Sequence, residues 1–197
     1  MDRIRKSVMV LHLAEKLREK GSWCGETHMH KAMYFLQSAL YVDTDFDFVF
    51  YKHGPFSFDL RDFVAGLLAD DLLKLEPQIP PYGPRYNITD DAETLQERFP
   101  KFLAEHGPQV ETIADYLGRR GVTELERLSS ALYVTKEGAT ADCDDESRVS
   151  EIVELKPHVS RDEALSAVHE VDEFLAGLDG VEASSNSNPN PNASAAC

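Results

Sequence analysis

The chain has 197 residues and a mass of 22.1 kDa, with 42% apolar and 28% charged residues. This composition is typical of a globular protein and excludes a collagen, a coiled-coil rod and a wholly disordered chain. Twenty basic residues stand against 35 acidic ones, and the net charge of −15 excludes a general binder of nucleic-acid phosphates. No apolar run approaches the roughly 18 to 20 residues that cross a bilayer, so we expect a soluble, cytoplasmic protein.

The composition changes along the chain. We expect one domain over residues 1–181 and a disordered tail over 182–197, which is rich in Asn, Ser and Pro. Residues 1–75 hold ten basic and eleven acidic side chains, whereas 76–197 hold ten and twenty-four. The acidity therefore belongs to the second part of the chain.

The three cysteines are Cys24, Cys143 and Cys197, and they are widely separated. An odd number without paired spacing argues against a disulfide framework and fits a reducing compartment.

The first fifty residues predict two helices and a strand. Apolar residues at helical spacing indicate an amphipathic helix over 2–20, and Thr27 is placed to cap a second helix. Phe46, Phe48 and Phe50 occupy alternate positions, which is the period of a strand with one buried face.

A turn, a third helix and a short hairpin are predicted next. The composition of 52–57 favours a turn, and Ser57 is placed to cap a helix with apolar residues over 60–68. Residues 72–75 and 85–88 predict two short strands. The order of helix, helix, strand, helix and two-stranded wing is that of a winged-helix unit.

From residue 89 onward the sequence predicts helices that cover this first unit. They are expected over 90–106, with a break at Pro100, and over 108–120. The last helix is expected to stop within 177–180. The fold class predicted is therefore a mainly helical α+β fold, in which C-terminal helices cover a winged-helix-like N-terminal unit with a small β element.

Two segments match the capping box, in which a Ser or Thr and a Glu three residues later exchange hydrogen bonds at a helix start. These segments are Thr123-x-x-Glu126 and Ser160-x-x-Glu163. Each predicts the beginning of a helix.

Cys24, Glu26, His28 and His30 lie within seven residues and are all metal-ligand types. Their Cys-x3-His-x-His spacing matches no standard zinc site and lacks a distant second pair. The spacing favours an ordinary helix start, with a metal-dependent enzyme as a remote alternative.

Asp142, Asp144 and Glu146 resemble the opening of a calcium loop, but the Gly expected at its sixth position is missing. These residues indicate a solvated acidic loop. The sequence also lacks a nucleophile elbow and a glycine-rich phosphate loop. We therefore predict no enzymatic activity, no cofactor and no metal.

Binding to DNA is the alternative that the winged-helix order suggests. The predicted third helix argues against it, because acidic residues surround its single Arg61. The candidate nucleic-acid contacts are the basic residues of the first helix and the wing: Arg3, Arg5, Lys6 and Arg85.

Four blocks of the sequence resemble the SocA-like antitoxin domain, also called Panacea, and the related YwgA-type proteins. The blocks are Lys-Ala-Met-Tyr-Phe-Leu-Gln over 31–37, Tyr-Lys-His-Gly-Pro-Phe-Ser over 51–57, the helical stretch over 125–133, and Leu-Lys-Pro-His over 155–158. The Gly-Pro-Phe-Ser sequence after a Tyr is the specific part. The first helix and the C-terminal tail lie outside the likeness, which extends over residues 28–178.

The resemblance implies a compact, mainly helical domain that acts by binding proteins. Members of this family neutralise partner toxins, and one type is an adaptor that delivers its toxin to a protease. We therefore predict a non-enzymatic interaction module of antitoxin or adaptor type. The predicted partner-binding residues are those of the turn and the helix after it: His53, Gly54, Pro55, Phe56, Ser57 and Arg61.

Overall fold

The computed structural model describes residues 1–80, 83–139 and 144–185, with side chains up to residue 178. Within these ranges the chain forms eight helices and two antiparallel sheets of two strands each. The helices are α1 (Arg3–Glu19), α2 (Glu26–Ser38), α3 (Phe58–Ala69), α4 (Asp90–Glu97), α5 (Pro100–Leu117), α6 (Val122–Lys136), α7 (Asp145–Leu155) and α8 (Arg161–Ser185). The strands are β1 (Val49–Tyr51), β2 (Gly54–Phe56), β3 (Leu73–Glu76) and β4 (Arg85–Ile88). The mainly helical α+β class is confirmed.

Helix α1 lies where the sequence predicts it. The side chain of Asp2 accepts a hydrogen bond from the backbone N–H of Arg5 at 3.0 Å and so caps the helix. From Ser7 to Leu17 most of its residues are buried, and it packs against α2, α4, α5 and β4. A helix surrounded in this way lies inside the fold, as its apolar sequence requires.

Helix α2 begins one residue before the predicted cap. Gly25, in an extended conformation, is the N-cap, and Thr27 lies inside the helix. The ring of Trp23 and the carbonyl oxygen of Pro84 lie 3.2 and 3.3 Å from the place where a side chain on Gly25 would begin. Close packing at this turn therefore favours glycine at the N-cap position of α2.

The predicted strand of alternating phenylalanines is shorter than expected. Phe46 is buried, as the alternation predicts, but the hydrogen-bonded strand covers only Val49–Tyr51. The amide of Gln37 binds the backbone of Phe46, donating to its carbonyl at 3.0 Å and accepting from its N–H at 3.4 Å. This side chain takes the place of a partner strand, so the ladder begins later.

Both sheets are hairpins. Strands β1 and β2 pair through Val49–Phe56, Phe50–Pro55 and Tyr51–Gly54, so the predicted turn contributes a strand of its own. The wing of β3 and β4 follows α3 as predicted, and its two strands pair with each other in a sheet of their own. The winged-helix order is therefore present, but its first strand lies in a separate sheet.

Helix α3 begins as the sequence predicts. The Ser57 hydroxyl accepts a hydrogen bond from the N–H of Leu60 at 3.1 Å, and the helix ends at Ala69 with Asp70 as its C-cap. Leu60, Val64 and Leu67 are its buried residues.

The two helices predicted over 90–106 and 108–120 have a different boundary. The break at Pro100 is confirmed, but α5 continues from Pro100 through Pro108 to Leu117. An interior proline removes one backbone hydrogen bond. Phe102 before the proline and Val110 after it are both buried, and their packing keeps the helix continuous.

The capping box at Ser160 is confirmed. The Ser160 N–H donates to the Glu163 carboxylate at 3.0 Å, and the Glu163 N–H donates to the Ser160 hydroxyl at 3.3 Å. Helix α8 does not stop at 177–180 but continues to Ser185, because a helical glycine costs only about 1 kcal/mol. Of the predicted tail, 186–197 lies outside the described residues.

The buried apolar residues form one cluster that extends from Val8 to Val171. Helix α2 contacts α5 and α6, and α6 in turn packs against α7 and α8. The C-terminal helices therefore cover the first unit. Among the helices that the structure describes, none has the length and apolar character needed to cross a bilayer.

Candidate functional site

The turn between β1 and β2 is the best-defined candidate site, because buried polar residues hold it from beneath. Gly54 ends the turn with a φ of +87°, a left-handed value that favours glycine. A side chain on Gly54 would begin 3.2 Å from the Ser129 hydroxyl and 3.1 Å from the Ser130 hydroxyl. Both the backbone angle and the space around it therefore require glycine.

Lys31 is buried under this turn. It comes from the middle of α2 and is only 1% exposed. Its ammonium group donates to the carbonyl of Pro55 at 2.8 Å. A charged group removed from water must be compensated by partners of this kind, so the position of β2 is tied to α2.

Lys156 holds the other end of the turn. This residue follows α7 and is also buried. Its ammonium group donates to the carbonyl of Lys52 at 3.1 Å and lies 3.6 Å from a carboxylate oxygen of Glu126. The turn is thus fixed to the segment that precedes α8.

Glu126 connects this lysine to the turn's exposed histidine. One of its oxygens faces Lys156, and the other lies 2.8 Å from His53 Nδ1. The Thr123–Glu126 capping box is therefore wrong: α6 begins at Val122 behind Gly121, without a side-chain cap. The glutamate is drawn to the buried ammonium group instead.

Burial controls the electrostatics of this group of residues. Loss of hydration lowers the pKa of Lys31 to about 7, an effect that nearby Lys156 strengthens and Glu126 opposes. Burial also lowers the pKa of Lys156, and the Glu126 carboxylate partly offsets the effect. Desolvation, with the charges of Lys31 and Arg61, lowers the pKa of His30 to about 3.

We call Lys31, Glu126, Ser129, Ser130 and Lys156 the turn-anchoring cluster. It brings together all four sequence blocks that carry the family resemblance, from α2, the turn, α6 and the segment before α8. Sequence reasoning did not select these residues as site residues, because each lies within a pattern explained by an ordinary helix or helix end. Lys31 lies on the side of α2 opposite the apolar positions Met29 and Met33, so no local pattern signals its burial.

The outer side of the hairpin carries exposed aromatic rings. Tyr51 and Phe58 have ring centres 5.7 Å apart, and Phe56 lies 5.1 Å from Phe58. The Arg61 guanidinium lies 5.2 Å from the Phe58 ring centre. We call Val49 and these four residues the aromatic face.

The aromatic face is both accessible and anchored. Val49, Tyr51 and Phe58 are 47, 48 and 43% exposed. From the inside, the ring of His30 stacks on Phe56 at 4.0 Å with an interplanar angle of 10°. The face is therefore held by the core while its outer rings reach solvent.

The residues predicted to bind a partner divide into two groups. Gly54, Pro55 and Ser57 are buried and position the chain. His53 and Arg61 are exposed, and Phe56 is half-buried. A partner can touch the second group directly, whereas the first acts through the shape of the turn.

The four predicted nucleic-acid contacts all have carboxylate partners. Their ion pairs are Arg3–Asp70, Arg5–Asp2, Lys6–Asp45 and Arg85–Glu76. Each positive charge is therefore neutralised within the chain, which leaves less of it for phosphate groups.

Two of the candidate metal ligands near α2 form hydrogen bonds with different backbone groups. The buried Cys24 thiol donates to the carbonyl of Ala14, and His30 Nδ1 accepts from the N–H of Ser57 at 3.3 Å. No group of three or more His, Cys, Asp or Glu within the described ranges is arranged to hold a metal ion. In the acidic loop, Asp144 caps α7, and Asp142 lies outside those ranges.

A small cleft lies beside the turn-anchoring cluster. Ser130, Lys156 and His158 are among the residues that line it, and its volume is about 50 Å³. This volume holds a few water molecules but is far below the roughly 300 Å³ of a typical small-molecule site. The charged groups and hydroxyls of the turn-anchoring cluster therefore serve to hold the turn in one conformation.

Neither a scan of protein-family models nor a search of curated proteins matched this chain.

Proposed function

We propose that the protein is a non-enzymatic interaction module, an antitoxin-like or adaptor protein that binds and neutralises a partner protein in the cytoplasm. The observation that carries the proposal is the aromatic face, an accessible set of rings and one arginine held in place from within. Tyrosine and arginine are among the residues that dominate protein interfaces, especially when the surrounding structure holds them rigid.

The turn-anchoring cluster supports the same proposal. Two buried lysines support a turn that itself presents His53 and leads into Phe56 and Phe58. Burying an ammonium group is costly, and its best-attested use is to specify one conformation. A pre-ordered surface of this kind loses less conformational entropy when it binds.

The acidity of the second half of the chain points to the charge of the partner. Residues 76–197 carry twenty-four acidic and ten basic side chains, and the whole chain carries −15. Complementary charge accelerates encounter and selects among partners more than it sets affinity. We therefore propose a basic partner.

The test is capture of the partner followed by reconstitution. The tagged full-length chain is recovered from its native cells with and without nuclease, and bound proteins are identified by mass spectrometry. We expect a stoichiometric, nuclease-resistant protein whose toxicity this chain relieves on co-expression. No captured protein, together with no rescue from the product of a neighbouring gene, would overturn the proposal.

A winged-helix DNA-binding regulator is the alternative, and the hairpin of β3 and β4 directly after α3 is the observation in its favour. On that alternative, the chain shifts its own upstream DNA at low salt, where phosphate contacts are strongest. Substitution Arg85→Ala then weakens the shift. The absence of a shift at low salt removes this alternative.

A further inference from the structure

The outer edge of β1 presents backbone groups that face no strand in the described part of the chain. Pro55 lies opposite Phe50 and has no N–H, so these two residues form the non-hydrogen-bonded pair of the hairpin. The N–H and C=O of Phe50 therefore point away from β2. The Pro55 carbonyl likewise points away from β1, where Lys31 binds it.

The aromatic face lies next to this edge, because two of its residues belong to β1. Val49 and Tyr51 flank Phe50 and send their side chains to the opposite face of the hairpin from its ring. Phe50 packs on Tyr133 with ring centres 4.9 Å apart, which fixes the strand against α6. A strand added beside β1 would place every second side chain beside Val49 and Tyr51.

Two exposed carboxylates lie beyond the Val49–Phe56 pair, at the open end of the hairpin. Asp47 is exposed two residues before Val49, and Asp59 is exposed directly after Phe58. Neither carboxylate forms an ion pair with another residue that the structure describes. At the turn end Lys52 is exposed, and Arg61 pairs with Asp62. The surface therefore combines an open backbone edge and apolar rings with unpaired carboxylates at its open end.

We propose that the outer edge of β1 binds an extended, basic segment of the partner as an added strand. Alternate apolar side chains of this segment pack on the aromatic face, and its lysines or arginines lie near Asp47 and Asp59. Because β1 is short, Phe50 supplies the backbone hydrogen bonds and the rings supply most of the affinity. This inference rests on the proposed function and names the form and charge of its partner.

The test uses a labelled peptide of roughly eight alternating lysine and valine residues, long enough for one strand. Its binding to the full-length chain is measured by fluorescence anisotropy beside a glutamate–valine peptide of the same pattern. We expect the lysine peptide to bind at least about 10-fold more tightly. Equal binding of the two peptides, or preference for the acidic one, would overturn the charge assignment.

Two substitutions with the same charge change locate the surface. Phe58→Asp removes a ring of the aromatic face, whereas Ile79→Asp changes a side chain that is 82% exposed on the β3–β4 loop. Phe58→Asp is expected to weaken binding about 10-fold although it adds negative charge, and Ile79→Asp to change it less than about 2-fold. Equal effects would show general electrostatic attraction and overturn the assigned surface.

The backbone contact is tested at Phe50. Phe50→Ala and Phe50→Pro both remove the ring, but only the proline also removes the outward N–H. We expect the proline variant to bind the peptide at least about 3-fold more weakly than the alanine variant. Thermal unfolding confirms that both are folded, and equal affinities of two folded variants would refute the added strand. If either variant is unfolded, protection of the Phe50 amide from hydrogen exchange by the peptide, in the wild-type chain, decides.

Failure of this inference is separable from failure of the proposed function. A captured toxin or client that binds the Phe58→Asp variant as tightly as the wild type leaves the interaction module intact and rejects the β1 edge. If no partner is captured, the proposed function fails, while the peptide measurements still decide whether the edge accepts a basic strand.

Discussion

Two segments of this chain have the same capping-box pattern and different structures. At α8, Ser160 and Glu163 exchange hydrogen bonds at 3.0 and 3.3 Å. At α6, Glu126 instead faces Lys156 and His53, and no side chain caps the helix. The pattern describes a local possibility, and a nearby buried charge decides whether it is realised.

The energies explain this choice. A helix cap contributes about 1 kcal/mol, whereas a buried cation left without its partner costs roughly 3 kcal/mol or more. Lys156 is 3% exposed, and Glu126 is its carboxylate partner. Because pairing the buried lysine is worth more than capping the helix, the α6 glutamate supports the turn, whereas the α8 glutamate caps its helix.

The largest effect is expected from removing the charge at Glu126. Glu126→Gln leaves Lys156 buried without a carboxylate and should lower the free energy of unfolding by about 3 kcal/mol. Glu163→Gln, its matched control at the true cap, keeps a side-chain oxygen that accepts from the Ser160 N–H and should cost less than about 1 kcal/mol. Urea denaturation measures both, and equal losses would show that the two glutamates have the same role.

Gly54→Ala should destabilise the turn by about 2 kcal/mol, because it combines a left-handed backbone with close serine hydroxyls. Gly177→Ala is the control, since a side chain there meets nothing within 4 Å and replaces glycine within α8. The control should be stabilising by about 0.5 kcal/mol or more in the same denaturation experiment. A neutral Gly54→Ala variant would contradict the packing described for the turn.

Lys31 should make stability depend on pH. Its pKa is about 7 in the folded chain and 10.5 without burial, so between these values the unfolded chain binds more protons. Stability should therefore rise from pH 7 toward 10.5, with a slope of up to about 1.4 kcal/mol per pH unit. Denaturation at several pH values should show this slope in the wild type and its loss in Lys31→Met. Equal slopes would mean that Lys31 keeps its ordinary pKa.

The smallest effects on stability are expected when the hydroxyl of each capping-box segment is removed. Ser160→Ala removes an observed cap and should cost about 1 kcal/mol. Thr123→Ala removes no cap and should change stability by less than about 0.5 kcal/mol. A loss at Thr123 as large as that at Ser160 would restore the first capping box.

The sequence is a good guide wherever local chemistry decides the structure. The Ser57 cap and the break at Pro100 follow from side chains adjacent to the helix ends they control. The start of β1 does not, because the amide of Gln37 binds the backbone of Phe46 from another element. Local patterns contain no information about such distant partners.

The same reasoning separates the two parts of the candidate site. The turn and Phe56 can be selected from the sequence because Gly-Pro and an adjacent aromatic ring are a local signal. Lys31 and Lys156 cannot, since they meet the turn from segments 24 and 104 residues away. Only the tertiary fold shows that they support it.

Chemical labelling of the buried Cys24 thiol can report local opening of the core. The thiol is 0% exposed between α1 and α2, and burial raises its pKa to about 12. Because the thiolate is the reactive form, alkylating reagents should modify it only when this region opens. In a chain with Cys143→Ser and Cys197→Ser, the rate of labelling therefore counts openings of the α1–α2 core, and a bound partner that tightens the fold will slow that rate.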